Sequence, residues 1–293
     1  APIMSDAKPV KLPSARSGHL PRLGVFVARH RRHPLIRKLA GLCQRYLTWY
    51  GNHNYDLRTN GEVFVLEALA PFQPRVLFDV GANVGDWSIA SRALCPSAEI
   101  HALEIARPTF ESLAANTRHL LGVHCENVGL SDVPGPIRIR HYDALPALTT
   151  ATDYPHPFAF TELTAEVVTG DGYAAGRGIE HIDLMKVDVE GMEDRVLKGF
   201  SGMFARKAID LVQFEYGRVS ILNGFLLRDF QAFFRERGYA VGKMYPNYVD
   251  FRDYEPADED FMGPNYLACL EDKAEYLAAF GGRRRRGPRR RGR

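Results

Sequence analysis

The sequence predicts a three-layer α/β fold in which helices cover both faces of a mostly parallel sheet. Short, nearly continuous apolar segments alternate with amphipathic helical segments between residues 76 and 237, as in sheets that are buried on both faces. The first apolar segment ends in a glycine-rich turn, which is typical of a ligand-binding α/β sheet. The last two apolar segments are joined by a loop without a helical pattern, which predicts a final antiparallel strand.

Seven strands and four intervening helices follow from the hydrophobic periodicity. The predicted strands are Val76–Val80, Glu99–Leu103, 123–128, Ile182–Val187, 211–215, 239–244 and 266–270. The predicted helices are 84–94, 108–121, 193–204 and 226–237. Residues 131–170 interrupt the alternation, and we interpret them as an inserted hairpin with a loop that faces the substrate.

The main domain is predicted over residues 71–272. Residues 1–33 contain four prolines among basic and small polar residues, which predicts a flexible arm. A helical segment follows over 34–70, and residues 273–293 form a C-terminal end with a disordered arginine-rich tail. The first helix of this segment is expected to pack on the main domain, while covering a substrate pocket and lying on a membrane surface are the alternatives.

Charge is distributed unevenly along the chain. Residues 1–60 carry a net +9 and residues 283–293 a net +8, whereas residues 61–282 carry 19 Lys and Arg against 33 acids. An acidic body argues against a folded surface that binds nucleic acid, although the basic ends predict weak contact with an anionic membrane.

No apolar run approaches the ~20 residues of a membrane span, and four scattered cysteines predict reduced thiols in a cytoplasmic protein.

The glycine turn after the first strand contains the first candidate ligand-binding residues, Asp79, Gly81, Ala82, Asn83 and Gly85. The two glycines are expected to permit a sharp turn and the close approach of a ligand. Their spacing differs from the dinucleotide fingerprint. An acidic residue at the strand end would repel a pyrophosphate but would suit a cationic ligand such as S-adenosylmethionine, which carries a sulfonium and an ammonium.

Polar residues also end the second and third predicted strands. Glu104 lies where an acid commonly accepts both ribose hydroxyls of a nucleoside, although a surface carboxylate is the alternative. Asn127 or Asp132 would fall near an adenine ring, but either residue could equally form a turn. The joint spacing of Asp79, the glycines and Glu104 favours a nucleoside-containing cofactor.

Three acids are predicted to converge at the carboxyl edge of the sheet. Asp188 and Glu190 follow the fourth strand, and Glu215 ends the next one. They could act as a general base, as ligands of Mg²⁺ or as acceptors for sugar hydroxyls. The alternative is that Asp188 or Glu190 caps the following helix. Lys186 is either catalytic or part of a structural ion pair.

The segments DVGANVGDW (79–87) and LMKVDVEGME (184–193) resemble those of the FkbM family of S-adenosylmethionine-dependent methyltransferases. The resemblance extends over about residues 55–272 and includes residues 60–62, Glu104 and 213–215. Residues 168–171 match the family pattern only in part. The basic ends lie outside the resemblance.

The resemblance implies a Rossmann-like methyltransferase sheet and O-methylation of a hydroxyl on a sugar, a glycolipid or a natural product. From the residues themselves, we predict that eight positions bind the cofactor and that three acids carry the catalytic roles. The cofactor set is Asp79, Gly81, Ala82, Asn83, Gly85, Glu104, Asn127 and Asp188. The catalytic set is Asp188, Glu190 and Glu215, with Asp188 at the junction of cofactor and acceptor.

Two other functions are compatible with a similar sheet. One is a nicotinamide-dependent oxidoreductase, which the glycine spacing and the acidic fourth-strand motif disfavour. The other is a non-catalytic protein that docks through its basic arms, which the intact cofactor motif disfavours. Alternative bases are His53, His141, His156 and His181, and none of them lies in a motif.

Overall fold

A computed structural model describes residues 19–262 and 264–281 of the chain. The chain divides into two compact units, Ala1–Thr48 and Trp49–Arg293. The first 18 residues of the predicted arm and the arginine-rich tail lie outside the described residues, so those two expectations stay predictions.

The bounds of the helices are close to those predicted in the main domain, except that the expected helix 193–204 is divided in two. The helices are α1 (His19–Arg29), α2 (Pro34–Tyr50), α3 (Glu62–Leu69), α4 (Asp86–Leu94), α5 (Arg107–Thr117), α6 (Gly170–Gly176), α7 (Glu193–Gly199), α8 (Ser201–Ala205), α9 (Ser220–Asn223), α10 (Leu227–Arg235) and α11 (Ala274–Phe280).

The strands form one large and one small sheet. They are β1 (Val76–Val80), β2 (Glu99–Leu103), β3 (Val123–Glu126), β4 (Gly129–Leu130), β5 (Gly135–His141), β6 (Thr161–Val168), β7 (Ile182–Val187), β8 (Ile209–Glu215), β9 (Tyr239–Tyr245), β10 (Tyr248–Phe251) and β11 (Asn265–Leu270). The large sheet has the order β10-β9-β11-β8-β7-β1-β2-β3, and the small sheet has the order β4-β6-β5.

The prediction of a mostly parallel sheet with an antiparallel end is confirmed. β11 is inserted antiparallel between β8 and β9. The expected number of seven strands is wrong, because the large sheet in the described residues has eight. The additional strand, β10, lies in the segment that we expected to be a loop. It folds back on β9 as a tight hairpin in which the rings of Tyr245 and Tyr248 stack 4.8 Å apart.

Strand register places the carboxyl ends of four strands side by side. Val80 at the end of β1 is paired with Leu103 of β2 and with Val187 of β7, and Val187 is paired with Phe214 of β8. The residues that follow these strands therefore meet at one edge. This edge is where open α/β sheets bind ligands.

Both faces of the large sheet are covered by hydrophobic side chains. Adjacent strand residues point to opposite faces, and accordingly Leu77 and Phe78 of β1 belong to two different buried clusters. In one cluster, the ring of Phe214 stacks on that of Phe230 of α10 with 4.5 Å between centroids. These two packed layers hold the carboxyl edge of the sheet in place.

The inserted segment 131–170 contains the predicted hairpin. β5 and β6 pair antiparallel, with Gly135 opposite Val167 and His141 opposite Thr161. β4 lies in the chain between β3 of the large sheet and β5 of the hairpin, and it pairs with the end of β6. The insertion is thus a small sheet of its own.

The unit Ala1–Thr48 consists, in its described part, of α1 and most of α2. Helix α1 lies within the segment that we predicted as a flexible arm, because Leu23, Phe26 and Val27 recur at helical spacing between two prolines. α2 begins at Pro34, as predicted. A search of the described residues finds no helix with the length and hydropathy needed to cross a bilayer.

Candidate cofactor and catalytic site

A cleft of about 290 Å³ opens at the carboxyl edge of the large sheet. Its walls come from the loop after β1, from the end of β2, from the acids after β7 and β8, and from the inserted segment, which contributes Ile139 and Thr150. Seven of the residues that we assigned to the cofactor or to catalysis line this one cleft: Gly81, Ala82, Asn83, Glu104, Asp188, Glu190 and Glu215.

The glycine turn has the left-handed backbone that its sequence predicts. Gly81, Asn83 and Gly85 have φ angles of 83°, 48° and 96°. The close approach of a ligand to these glycines stays a prediction, and the atoms that leave no room for a side chain at either glycine belong to the protein itself. A Cβ on Gly81 would lie 1.8 Å from the carbonyl oxygen of Asp188, and one on Gly85 would lie 2.8 Å from Leu113.

Glu104 organises the glycine turn. One carboxylate oxygen accepts a hydrogen bond from the backbone N–H of Asn83 at 2.9 Å, and the other accepts one from Ala106 at 2.8 Å. Burial raises the pKa of Glu104 to about 7. Each oxygen keeps a second lone pair, so this residue can still accept hydrogen bonds from a ligand in the cleft.

Asn127 stabilises the loop that follows β2. Its amide donates to the carbonyl oxygens of Glu104 and Ile105 at 2.9 and 3.0 Å. It lies against a neighbouring hollow that is lined by Ile105 and Arg107, and it is not among the residues that line the main cleft. Asp132 accepts a hydrogen bond from the Ser131 hydroxyl. Contact between Asn127 and an adenine ring therefore stays a prediction.

A buried lysine connects Asp79 to the cleft. The carboxylate of Asp79 is fully buried, accepts a hydrogen bond from Ser88 at 2.7 Å, and lies 3.7 Å from the ammonium of Lys186. Lys186 in turn donates to Asp188 at 2.8 Å. Burial lowers the pKa of Lys186, but Asp188, Asp79 and Glu62 together raise it above its ordinary value. The ammonium therefore stays charged beneath the cleft.

Asp188, Glu190 and Glu215 converge as the sequence predicts. One carboxylate oxygen from each lies within 4.8 Å of the others. Burial opposes ionisation of Asp188, but Lys186 and a hydrogen bond with Glu215 lower its pKa. Burial and the charge of Asp188 raise the pKa values of Glu190 and Glu215 well above the ordinary value. Asp188 is therefore the member of the three that ionises most readily, and its carboxyl group shares a hydrogen bond with Glu215.

Helix α7 has no side-chain cap at its N-terminus, so the capping role that we had considered for Asp188 or Glu190 is wrong, and Glu193 stabilises the loop before the helix. Its carboxylate accepts hydrogen bonds from the backbone N–H groups of Val189 and Gly191 at 3.1 Å. Glu190 has a φ of 52°, an unusual conformation for a residue with a side chain, and its carbonyl oxygen accepts from Thr150 at 2.6 Å. Because Glu193 holds this loop, the carboxylates of Asp188 and Glu190 are available to the cleft, which both residues line.

The four histidines that we considered as bases do not line the cleft. His181 precedes β7 and pairs with Asp210 at the opposite edge of the sheet. His141 is bound to Thr149 in the inserted segment, and the ring of His156 packs on Tyr142. Burial lowers the pKa of His53.

Three residues at the cleft were not assigned from the sequence. Tyr55 lies in its wall, where burial and the nearby Glu215 and Glu190 raise its pKa to about 12. Glu62 is buried and accepts hydrogen bonds from Asn60 and Gln213. Trp87 is buried. Its position directly after the glycine motif was a usable signal, whereas Tyr55 has no motif around it.

Comparison with known proteins places the chain in a family. Residues 79–241 match the model of the methyltransferase FkbM domain. The chain is 30% identical over 152 residues to the 31-O-demethyl-FK506 methyltransferase FkbM of Streptomyces tacrolimicus, covering 42% of this chain and 58% of that protein. It is 26% identical over 191 residues to the hexuronic acid methyltransferase AglP of Haloferax volcanii, covering 64% of this chain and 76% of that protein.

A solved structure of a methyltransferase FkbM from Methylobacillus flagellatus is 14% identical to this chain, with a TM-score of 0.42 over 67% of this chain and 44% of that one. The family match covers more than half of the described sequence and includes both motifs identified above. The resemblance inferred from those motifs is confirmed, and the chain belongs to the FkbM methyltransferase family.

Proposed function

We propose that the chain is an S-adenosylmethionine-dependent O-methyltransferase. The observation that carries this proposal is the cleft, in which a cofactor-type glycine turn and Glu104 face Asp188, Glu190 and Glu215. One wall is suited to a nucleoside and the other to a hydroxyl acceptor. Family membership supports the same activity.

The residues of the cleft fit a cationic nucleoside cofactor. Asn83 Oδ1 and Trp87 Nε1 are buried and have no hydrogen-bond partner among the described residues, so the cleft offers an unused acceptor and an unused donor. Its lining combines one lysine with six acids. These acids are Glu62, Asp86, Glu104, Asp188, Glu190 and Glu215. Burial raises the pKa values of Glu62, Glu104, Glu190 and Glu215, and a positively charged ligand would favour the ionised forms of these acids.

The same charge distribution disfavours a nicotinamide dinucleotide. Its pyrophosphate needs positive charge or free backbone N–H groups. Among the described residues of the cleft, the basic side chain is Lys186, which is already paired with Asp188 and Asp79. The N–H of Asn83 is also taken, by Glu104.

In the proposed reaction, bound S-adenosylmethionine supplies an electrophilic methyl group. The glycine turn, Glu104 and Asp188 would hold the cofactor, whereas Asp79, which is fully buried and does not line the cleft, would act by pairing with Lys186. Asp188 also accepts a hydrogen bond from the acceptor hydroxyl and orients it, since its side chain is 34% exposed toward the cleft. As the acceptor oxygen is alkylated, the proton of the acceptor hydroxyl passes to Asp188. Before this step, the negative charge of Asp188 is stabilised by hydrogen bonds with Lys186 and Glu215.

The acceptor that we propose is a hydroxyl on a sugar, a glycolipid or a natural product. One relative is named for O-methylation of a natural product and another for a hexuronic acid. Carboxylates that accept hydrogen bonds from neighbouring hydroxyls suit polyhydroxylated molecules. The insertion would contact this acceptor through Ile139 and Thr150.

S-adenosylhomocysteine is expected to bind, and its affinity should depend on Glu104. Ligand hydroxyls donate to the ionised form of Glu104, whose pKa is about 7. Lowering the pH from 8 to 6 protonates this carboxylate, so Kd should rise about tenfold. Isothermal calorimetry across this pH range measures the change.

The variant Glu104→Gln should bind S-adenosylhomocysteine about 10- to 100-fold more weakly, and the part of the pH dependence of Kd that comes from Glu104 should be lost. Glu111→Gln is the matched control, because Glu111 is an exposed carboxylate paired with Arg107 on the surface. Absence of heat with millimolar ligand would contradict the cofactor assignment. If the pH dependence of Kd were unchanged in Glu104→Gln, Glu104 would no longer be assigned to cofactor binding.

Methyl transfer is expected to proceed without a divalent metal. The three acids offer oxygen ligands that suit Mg²⁺, but the Lys186 ammonium already neutralises Asp188 at 2.8 Å and would repel a second cation. We expect transfer of a labelled methyl group to a hydroxylated acceptor to be unchanged by EDTA. Loss of activity with EDTA and its return with Mg²⁺ would assign the acids to a metal site instead.

A further inference from the structure

The first two helices combine high positive charge with exposed apolar side chains. Residues 19–48 contain seven Lys and Arg and no Asp or Glu. Their cationic side chains therefore have no acidic partner among the described residues of this unit. The match to the family domain begins at residue 79, so the proposed methyltransferase activity does not account for these helices.

Helix α2 separates its apolar and basic residues onto two sides. At 100° per residue, Leu35, Leu39, Leu42 and Tyr46 lie on one side of the helix. The basic residues Arg37, Lys38 and Arg45 lie on the other side, together with Gln44 and Thr48. The exposed fractions of Leu35, Leu39, Leu42 and Tyr46 are between 50% and 70%, and α2 contains no buried residue.

Helix α1 repeats this arrangement on a smaller scale. Leu23, Phe26 and Val27 form an exposed apolar side, which Arg22 and Arg29 flank. Arginine side chains can extend their charged ends toward water or headgroups while their stems cover apolar surface. Both helices therefore present the same two chemical features.

We propose that α1 and α2 dock on an anionic membrane surface. Helices of this type lie in the interface, with the apolar side in the acyl boundary and the basic side at the headgroups. Negative headgroups match the seven uncompensated Lys and Arg. Tyr46 and Trp49 suit the interface, where aromatic residues with polar edges are enriched.

Two other occupants, a nucleic acid and a second copy of this unit, would each match only the basic side or only the apolar side of the helices. A nucleic acid would engage the basic side and leave the leucines in water. A second copy of this unit would cover the leucines but would bring two sets of positive charge together. An anionic bilayer satisfies both sides at once.

Co-sedimentation of the full chain with vesicles tests the proposal. Binding is expected to vesicles of phosphatidylcholine and phosphatidylglycerol at 3:1, to be weak on phosphatidylcholine alone, and to fall as salt is raised. The double variant Leu39→Asp/Leu42→Asp should reduce binding at least tenfold, because it places charge in the acyl boundary. Leu121→Asp is the matched control, since Leu121 is an 86% exposed leucine of the other unit.

Tryptophan emission gives a second measurement. Trp49 of α2 is 75% exposed and Trp87, the other tryptophan of the chain, is buried. Anionic vesicles should shift the emission to shorter wavelength, and the shift should disappear in Trp49→Phe. Equal binding to both vesicle types, or full binding by the double aspartate variant, would overturn the proposal. Binding of single-stranded RNA without vesicle binding would assign the basic residues to nucleic acid and would overturn it as well.

Discussion

Replacing Asp188 by Asn is expected to lower kcat for methyl transfer by about 10²- to 10⁴-fold, the range lost when a positioned acid–base group is removed. The variant keeps the shape of the side chain but removes the negative charge that Lys186 and Glu215 stabilise. An amide cannot take the acceptor proton. Initial rates at saturating cofactor, measured with labelled S-adenosylmethionine, give the effect.

Two further measurements separate a catalytic role of Asp188 from a structural one. The binding of S-adenosylhomocysteine should weaken far less than kcat falls, and thermal unfolding should show that the variant is folded. Asp253→Asn serves as the control, because the Asp253 side chain is 92% exposed. Retention of the full rate in Asp188→Asn would remove Asp188 as the base and leave Glu190 and Glu215 as the candidates.

Replacing Lys186 by Met is expected to lower the free energy of unfolding by about 3–5 kcal/mol, the usual cost of breaking a buried ion pair from one side. Lys186 is 7% exposed and lies between Asp79, which is fully buried, and Asp188. Methionine fills much of the same volume but leaves both carboxylates without a cation. Urea unfolding monitored by circular dichroism measures the difference.

The pH dependence of this loss identifies its electrostatic origin. Without the ammonium, the pKa values of Asp79 and Asp188 rise in the folded state above those in the unfolded state. The folded variant then binds more protons than the unfolded chain, so its stability should decrease as pH rises from 5 to 8. Lys207→Met is the matched control, because it removes a pair with Asp272 in which both side chains are 54% exposed, and it should cost at most about 1 kcal/mol at either pH. Equal losses of unfolding free energy in Lys186→Met and in its control variant would contradict the central role of Lys186.

Several elements were predictable because their information is local. β1, β2 and β7 begin and end where periodicity places them, since each is a mostly apolar run with one or two polar residues, bounded by turn residues. β10 was not predictable, because a four-residue strand with alternating polarity differs from a loop only when a partner strand lies beside it. The division of residues 193–204 into α7 and α8 likewise depends on packing around Phe200.

The sequence by itself determined the family, the glycine turn, and the acids that end β2, β7 and β8, because motif spacing along consecutive strands requires no long-range information. Tertiary structure decided what these residues contact. Gly81 is needed for the approach of the Asp188 carbonyl, and Glu104 accepts hydrogen bonds from Asn83 in the glycine turn and from Ala106 in its own loop. Lys186 became the central cation only when the parallel pairing of β1 and β7 brought it beside Asp79. Burial then set the protonation of the acids, because the pKa of a carboxylate depends on neighbours that are distant in the chain.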